Sequence, residues 1–170
     1  SDPKSAEIYI YGNIGDRWDE NGVIAADLVR ELGNLDVNAI ALRINSYGGS
    51  VPDGLAIYNA LKRHQATVDV HVDGVALSCA SYIAMAGDTV TMAKNALMMI
   101  HDAATVTFGN AEDHERSREF LDKISDNYAG VYAARAGISR EEAREIMKAE
   151  TWLTADEAIE KGFADSKLGE

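Results

Sequence analysis

A single cysteine, Cys79, excludes an internal disulfide and fits a reducing compartment such as the cytoplasm. Two prolines and the lack of any low-complexity tract exclude a proline-rich linker. No apolar run approaches the ~18 residues needed to span a bilayer, so a membrane anchor is not expected. No stretch reads as a signal peptide, and the start at Ser1 without methionine suggests a chain trimmed at its beginning. No self-similarity at a solenoid period is present. Positive charge is scarce: 16 Lys and Arg face 28 Asp and Glu, a net charge of −12. That balance disfavours nucleic acid or an anionic membrane as the main partner.

What is present is an ordinary globular composition, with 46% hydrophobic and 26% charged residues. A chain of 170 residues can bury one real core, so a single domain over 1–170 is expected. Ile8 to Tyr11 reads as a strand. Asp19 to Leu32 has helical spacing, ended by Gly33-Asn34. Ala39 to Asn45 reads as a strand so apolar that a sheet covered on both sides is expected. A glycine turn, Ser46 to Ser50, then opens a helix reaching about His64, with Ser50 as its cap and Pro52 in its first turn. Strands follow at Thr67–Val72, Thr89–Met92 and Leu97–His101. The alternation predicts βαβ units around a mainly parallel sheet. Asn110 caps a long helix to about Ala136, with Leu121, Ile124, Tyr128 and Val131 in one stripe. Its charged first half suggests a projecting helix used in subunit contact. Ser139-x-x-Glu142 and Thr154-x-x-Glu157 have the capping-box pattern.

The stretch Gly74-Val75-Ala76-Leu77-Ser78-Cys79-Ala80-Ser81 sets a serine between a strand and a short helix, Tyr82 to Ala86, closed by Gly87. A helix N-terminus there offers free N–H groups to an oxyanion. A nucleophilic serine needs a base, and the base needs an orienting group. Of four histidines, His64, His71 and His114 read as surface or structural residues. His101 ends an apolar strand, at the edge where parallel sheets carry their sites. Asp102 is a poor orienter, because consecutive strand residues point to opposite faces. Glu150, before a buried-looking Trp152-Leu153 pair, is the stronger candidate, with Asp165 behind it. Cys79 is a second possible nucleophile, with nothing nearby in sequence to lower its pKa.

Four segments in register resemble the ClpP family of serine peptidases. They are Ile44-Asn45-Ser46-Tyr47-Gly48-Gly49-Ser50-Val51, Gly74-x-Ala76-x-Ser78, Met99-Ile100-His101, and Trp152-Leu153-Thr154-Ala155-x-Glu157-Ala158-x-x-x-Gly162-x-x-Asp165. The resemblance covers about Ile8 to Asp165. It implies a ClpP/crotonase-like α/β fold with the helix at about 110–136 as a projecting handle. It also implies Ser78 as nucleophile, His101 as base and Glu150 as the acid, with the N–H groups of Gly49 and Cys79 as the oxyanion hole. No cofactor or metal is implied. The expected substrate is a protein or peptide, cut within a heptameric ring or double ring. Two departures stand out: Glu150 where the family usually has aspartate, and Tyr47 where it usually has proline. The Glu150-Thr151-Trp152-Leu153 variant, together with a short segment before Ile8, makes the chain similar to the head-maturation proteases of phages and prophages. The resemblance leaves two partners open: a capsid precursor for that branch, or an AAA+ unfoldase as for the housekeeping members. The rivals are a crotonase-fold acyl-CoA enzyme, a signal-peptide peptidase relative with a lysine base, and a ring scaffold with an idle site.

Overall fold

A computed structural model describes residues 4–169. The start at Ser1 and the end at Glu170 of the expected domain lie outside the described residues. The elements in chain order are β1 (Ser5–Tyr11), α1 (Ala25–Asn34), β2 (Ala39–Ser46), α2 (Val51–Arg63), β3 (Thr67–Leu77), α3 (Cys79–Ala84), β4 (Thr89–Ala93), β5 (Leu97–Ile100), α4 (Ala111–Ala136), α5 (Arg140–Lys148), β6 (Thr151–Thr154), α6 (Ala155–Lys161) and β7 (Ser166–Leu168). The sheet runs β1-β2-β3-β4-β7, all parallel. This is an α/β architecture around a mainly parallel sheet, as the sequence pattern predicts.

Alternation along the strands decides the layering. Ile8, Ile10, Ile40, Leu42, Ile44, Val68, Val70, Val72, Val90 and Met92 are all buried. Their neighbours Glu7, Tyr9, Tyr11, Arg43, Asp69, His71 and Asp73 are exposed or half-buried. The sheet is therefore buried on one face only, not on both as the apolar run in β2 suggests. Ala39 and Ala41 make that run look continuous, yet they sit beside Arg43 on the open face. Arg43 and Asp73 pair there through two bonds of 2.8 and 2.5 Å.

The strand β3 is longer than its sequence pattern suggests because it serves two partners. Its first half pairs with β4, and its last residues, Val75 to Leu77, pair with β5. The change of partner coincides with a register shift against β2, where Ile44 pairs with Val72 but Ser46 pairs with Ala76. Asn45 fills that irregularity with its side chain, which accepts from the Val75 N–H at 3.2 Å. Gly74 leaves the room: a Cβ there would lie 2.5 Å from the Asn45 Oδ1.

Helix boundaries follow their caps. Asn110, Ser139 and Thr154 each make a full capping box. Ser50 caps α2 through the Asp53 N–H. The helix α1 starts at Ala25, not Asp19, because Asp19 to Gly22 form a turn and Val23 bridges Ile14. Gly33 and Asn34 lie inside it. The α3 helix ends at Met85 rather than at a glycine cap. Gly87 serves packing instead, since a Cβ there would meet Val70 Cγ2 at 2.6 Å.

The second half of α4 packs into the core through Tyr128, Ala129, Tyr132 and Ala133. Tyr82 stacks on Tyr128 with ring centres 4.0 Å apart, and Tyr132 meets Tyr82, Tyr128 and Phe163 edge-on. The first half of α4 projects, with Phe120 exposed and arginine–carboxylate pairs along it. The preceding segment exposes Val106 and Phe108.

This packing makes stability testable at two places. The carboxylate of Asp165 accepts from the Val90 N–H at 2.7 Å and from Arg135 at 2.5 Å, tying the entry to β7 onto β4 and α4. Asp165→Ala should cost about 1–2 kcal/mol and lower Tm by roughly 2–8 °C, measured by thermal unfolding. Burial also pushes the Cys79 thiol from 9.0 up to about 12 and the Tyr82 phenol from 10.0 up to about 12. It raises Tyr128 and Tyr132 as well. The folded state thus keeps protons that the unfolded chain releases first. The associated stability is intact below pH ~9 and is lost as pH climbs through the folded values. Denaturant midpoints should fall steadily above pH ~9, and Tyr82→Phe should flatten that fall.

Candidate active site

Ser78 occupies the turn between β3 and α3 with φ 57° and ψ −129°. Positive φ is uncommon for a residue with a Cβ, and such strain collects at functional sites. Three contacts hold this backbone. The Ser78 N–H donates to the Met99 carbonyl at 3.0 Å, continuing the β3–β5 ladder. The Ser78 carbonyl accepts from the Ser81 N–H at 2.9 Å and from the Ser81 hydroxyl at 2.6 Å. The Gly48 backbone lies against the turn: a Cβ on Gly48 would fall 2.8 Å from that of Ser78.

Register then delivers the histidine. Leu77 pairs with Met99 in the parallel β3–β5 pair, so His101 leaves β5 beside the start of α3. Its Nε2 lies 2.7 Å from the Ser78 Oγ. The antiparallel β5–β6 pair does the same for the acid. Ile100 opposes Thr151, which sets Glu150 opposite His101. The Glu150 Oε1 lies 3.8 Å from His101 Nδ1, beyond hydrogen-bond reach, and its side chain is 63% exposed. Among the described residues Glu150 is the other non-glycine residue with positive φ, at 50°. The strand β6 is not evident in the sequence, and Trp152 is half exposed, so only Leu153 of the expected buried pair is in the core.

Two backbone N–H groups, of Gly49 and Cys79, belong to the turns that meet at Ser78. Cys79 begins α3, so its N–H has no acceptor within the helix. Ile14 donates to the Gly48 carbonyl and accepts from the Ser50 N–H, both at 2.8 Å. These bonds use the groups on either side of Gly49 and turn the Gly49 N–H to the opposite edge of the loop. The N–H groups of Gly49 and Cys79 both oppose the rise of the Cys79 thiol pKa. The thiol itself is fully buried and pushed up to about 12 by that burial, so Cys79 is a poor nucleophile.

The remaining candidates have other partners. Asp102 pairs with Arg144, which also reaches Asp126 at 3.2 Å. Asp165 is engaged with Val90 and Arg135. His64 bridges the Leu35 carbonyl and the Ala66 N–H, and His114 bonds Thr107. The Nδ1 of His71 is buried on β3, far along the strand from Ser78. Among the described residues no three His, Cys, Asp or Glu side chains converge as a metal site would need, and no helix is long and apolar enough to cross a membrane. The sequence reading missed Ser81 and Tyr132. Ser81 sits in the nucleophile segment but reads there only as a small packing residue.

Comparison with known proteins gives the family. The ATP-dependent Clp protease proteolytic subunit of Deinococcus radiodurans is 29% identical over 150 residues, which cover 87% of this chain and 73% of that protein. The Clp protease family model matches residues 4–169, all that the structure describes, and the chain belongs to that family of peptidases.

Proposed function

We propose that the chain is a serine endopeptidase with Ser78 as nucleophile, His101 as general base and Glu150 as the acid that orients it. The observation that carries this reading is the 2.7 Å contact between His101 Nε2 and Ser78 Oγ on a strained strand-to-helix turn. In the scheme, His101 takes the Ser78 proton as Oγ attacks a peptide carbonyl. The resulting oxyanion sits between the N–H groups of Gly49 and Cys79. His101 then hands its proton to the leaving amine, and water, activated by the same imidazole, releases the acyl group. No cofactor enters the scheme.

Glu150 is the weak member. At 3.8 Å and largely exposed, its attraction for an imidazolium is screened by solvent. This favours one second reading, an assembled ring whose site is idle until Glu150 moves closer. The projecting half of α4, with Phe120 exposed, and the segment before it, with Val106 and Phe108 exposed, support the ring itself, heptameric or doubled by resemblance. The Glu150-Thr151-Trp152-Leu153 variant supports the phage and prophage head-maturation branch, with a capsid precursor as substrate in place of an unfoldase-fed protein. An acyl-CoA enzyme on the same fold would not need the Ser78–His101 contact.

The test is intact mass after a fluorophosphonate probe, on material of known oligomeric mass. One adduct that disappears in Ser78→Ala supports the scheme, and turnover in that variant should fall by about 10⁴-fold or more. Activity surviving Ser78→Ala would sink it, and survival that depends on an acyl-CoA would mark the rival. No adduct on an assembled ring would support the idle scaffold. Glu150→Gln should lower kcat by roughly 10- to 100-fold, less than the ~10⁴ typical of a buried triad aspartate.

A further inference from the structure

Beneath the Ser78 turn lies a second set of polar contacts that the proposed chemistry does not use. The Ser81 hydroxyl is fully buried and lies 2.6 Å from the Ser78 carbonyl oxygen. The Tyr132 hydroxyl, buried to 1% exposure, lies 2.8 Å from the same Ser81 oxygen. Donor roles are fixed by elimination. The Ser78 carbonyl can only accept, and Ser81 has one proton to give. Ser81 therefore donates to Ser78, and Tyr132 donates to Ser81. The phenol cannot drift, because Tyr82, Tyr128 and Phe163 pack edge-on around its ring at 6.1–6.3 Å.

We infer that Ser81 and Tyr132 are positioning residues for the nucleophile: the chain from Tyr132 through Ser81 to the Ser78 carbonyl sets the direction of Ser78 Oγ toward His101. The inference rests on Ser78 being the nucleophile. The Ser78 carbonyl is the atom whose orientation ψ describes, so fixing it fixes a torsion of the strained residue. With its N–H held by Met99, the other side of the residue is fixed too. The Ser81 and Tyr82 N–H groups also reach this carbonyl, at 2.9 and 3.4 Å, but they belong to α3 and would move with it. Tyr132 belongs to α4. Its bond references the nucleophile to a second, independent element of the core. Each bond in such a chain polarises the next, in a site that excludes water.

The test uses the full chain as wild type, Ser81→Ala, Tyr132→Phe and the double variant. Two signals are read: the rate of fluorophosphonate labelling, and the ¹⁵N chemical shifts of the His101 ring, with Ser78→Ala showing how those shifts look when the Ser78 contact is lost. Each single variant should label about 10-fold more slowly and move the His101 shifts toward the Ser78→Ala position. The double variant should be no slower than the slower single one. Its Tm should recover relative to Ser81→Ala, which alone leaves the buried phenol without an acceptor. A fall in Tm with labelling and ring shifts unchanged would overturn the inference and leave a purely structural bond. Should the wild type itself fail to label, the peptidase reading fails. The His101 shifts still decide the positioning role: displaced in Tyr132→Phe they support it, unchanged they overturn it.

Discussion

The conformation of Ser78 is the constraint on which the rest depends. A side-chain-bearing residue at φ 57° costs of order 1–3 kcal/mol. A single fully buried aliphatic side chain contributes about as much in the other direction, and this sheet buries many, Ile10, Ile40, Leu42 and Ile44 among them. The energy of the strain is therefore not the difficulty. The difficulty is uniqueness, because a turn without local restraints would relax to a less strained backbone. The structure answers with restraints on both peptide groups of Ser78. Its N–H is bound to β5, its carbonyl is bound by α3, and Gly48 closes on it without a side chain of its own. The strain then aims the hydroxyl out of the sheet edge, toward a histidine delivered by strand register.

Register does most of the assembly at the site. The β3–β5 pair brings Ser78 near His101, and the β5–β6 pair brings Glu150 opposite His101. Both deliveries use backbone ladders, so they tolerate changes in side chain. They differ in how the delivered side chains are seated. Ser78 and His101 are half-buried and meet at hydrogen-bond distance, whereas Glu150 stands in solvent at the end of α5. The backbone at φ 50° turns Glu150 into β6 but does not seat its carboxylate. Register thus sets Glu150 opposite His101, while its carboxylate stays at 3.8 Å, beyond hydrogen-bond reach.

Much of this was legible in the sequence, for definable reasons. Capping boxes at Ser139 and Thr154 are local hydrogen-bond patterns and need no tertiary context. Ser78 and His101 lie at element ends, where periodicity breaks visibly. The one-sided sheet was hidden because Ala39 and Ala41 are apolar in name yet too small to demand burial. The strand β6 was hidden because four residues between two helices carry no period. Asp165, a candidate acid by composition, proves to bind an arginine and a strand N–H, and no rule of spacing separates those roles. The Ser81–Tyr132 bond joins residues 51 positions apart and was out of reach of any motif.

The glycine-loop segment shows how motif and fold share residues. Asn45 fills the register shift in β3, Gly74 leaves space for it, and Ser46 bonds both the Gly12 carbonyl and the Gly48 N–H. None of the three touches the Ser78–His101 pair. Their work is to let β3 leave β4 and join β5, and to fold residues 48–50 back along Ile14. Without that change of partner, Ser78 would end a strand flanked by β4, and His101 would have no ladder to bring it alongside. The polar residues that look like site chemistry in this segment therefore act one step earlier. They create the sheet edge at which a strained serine and a histidine can meet.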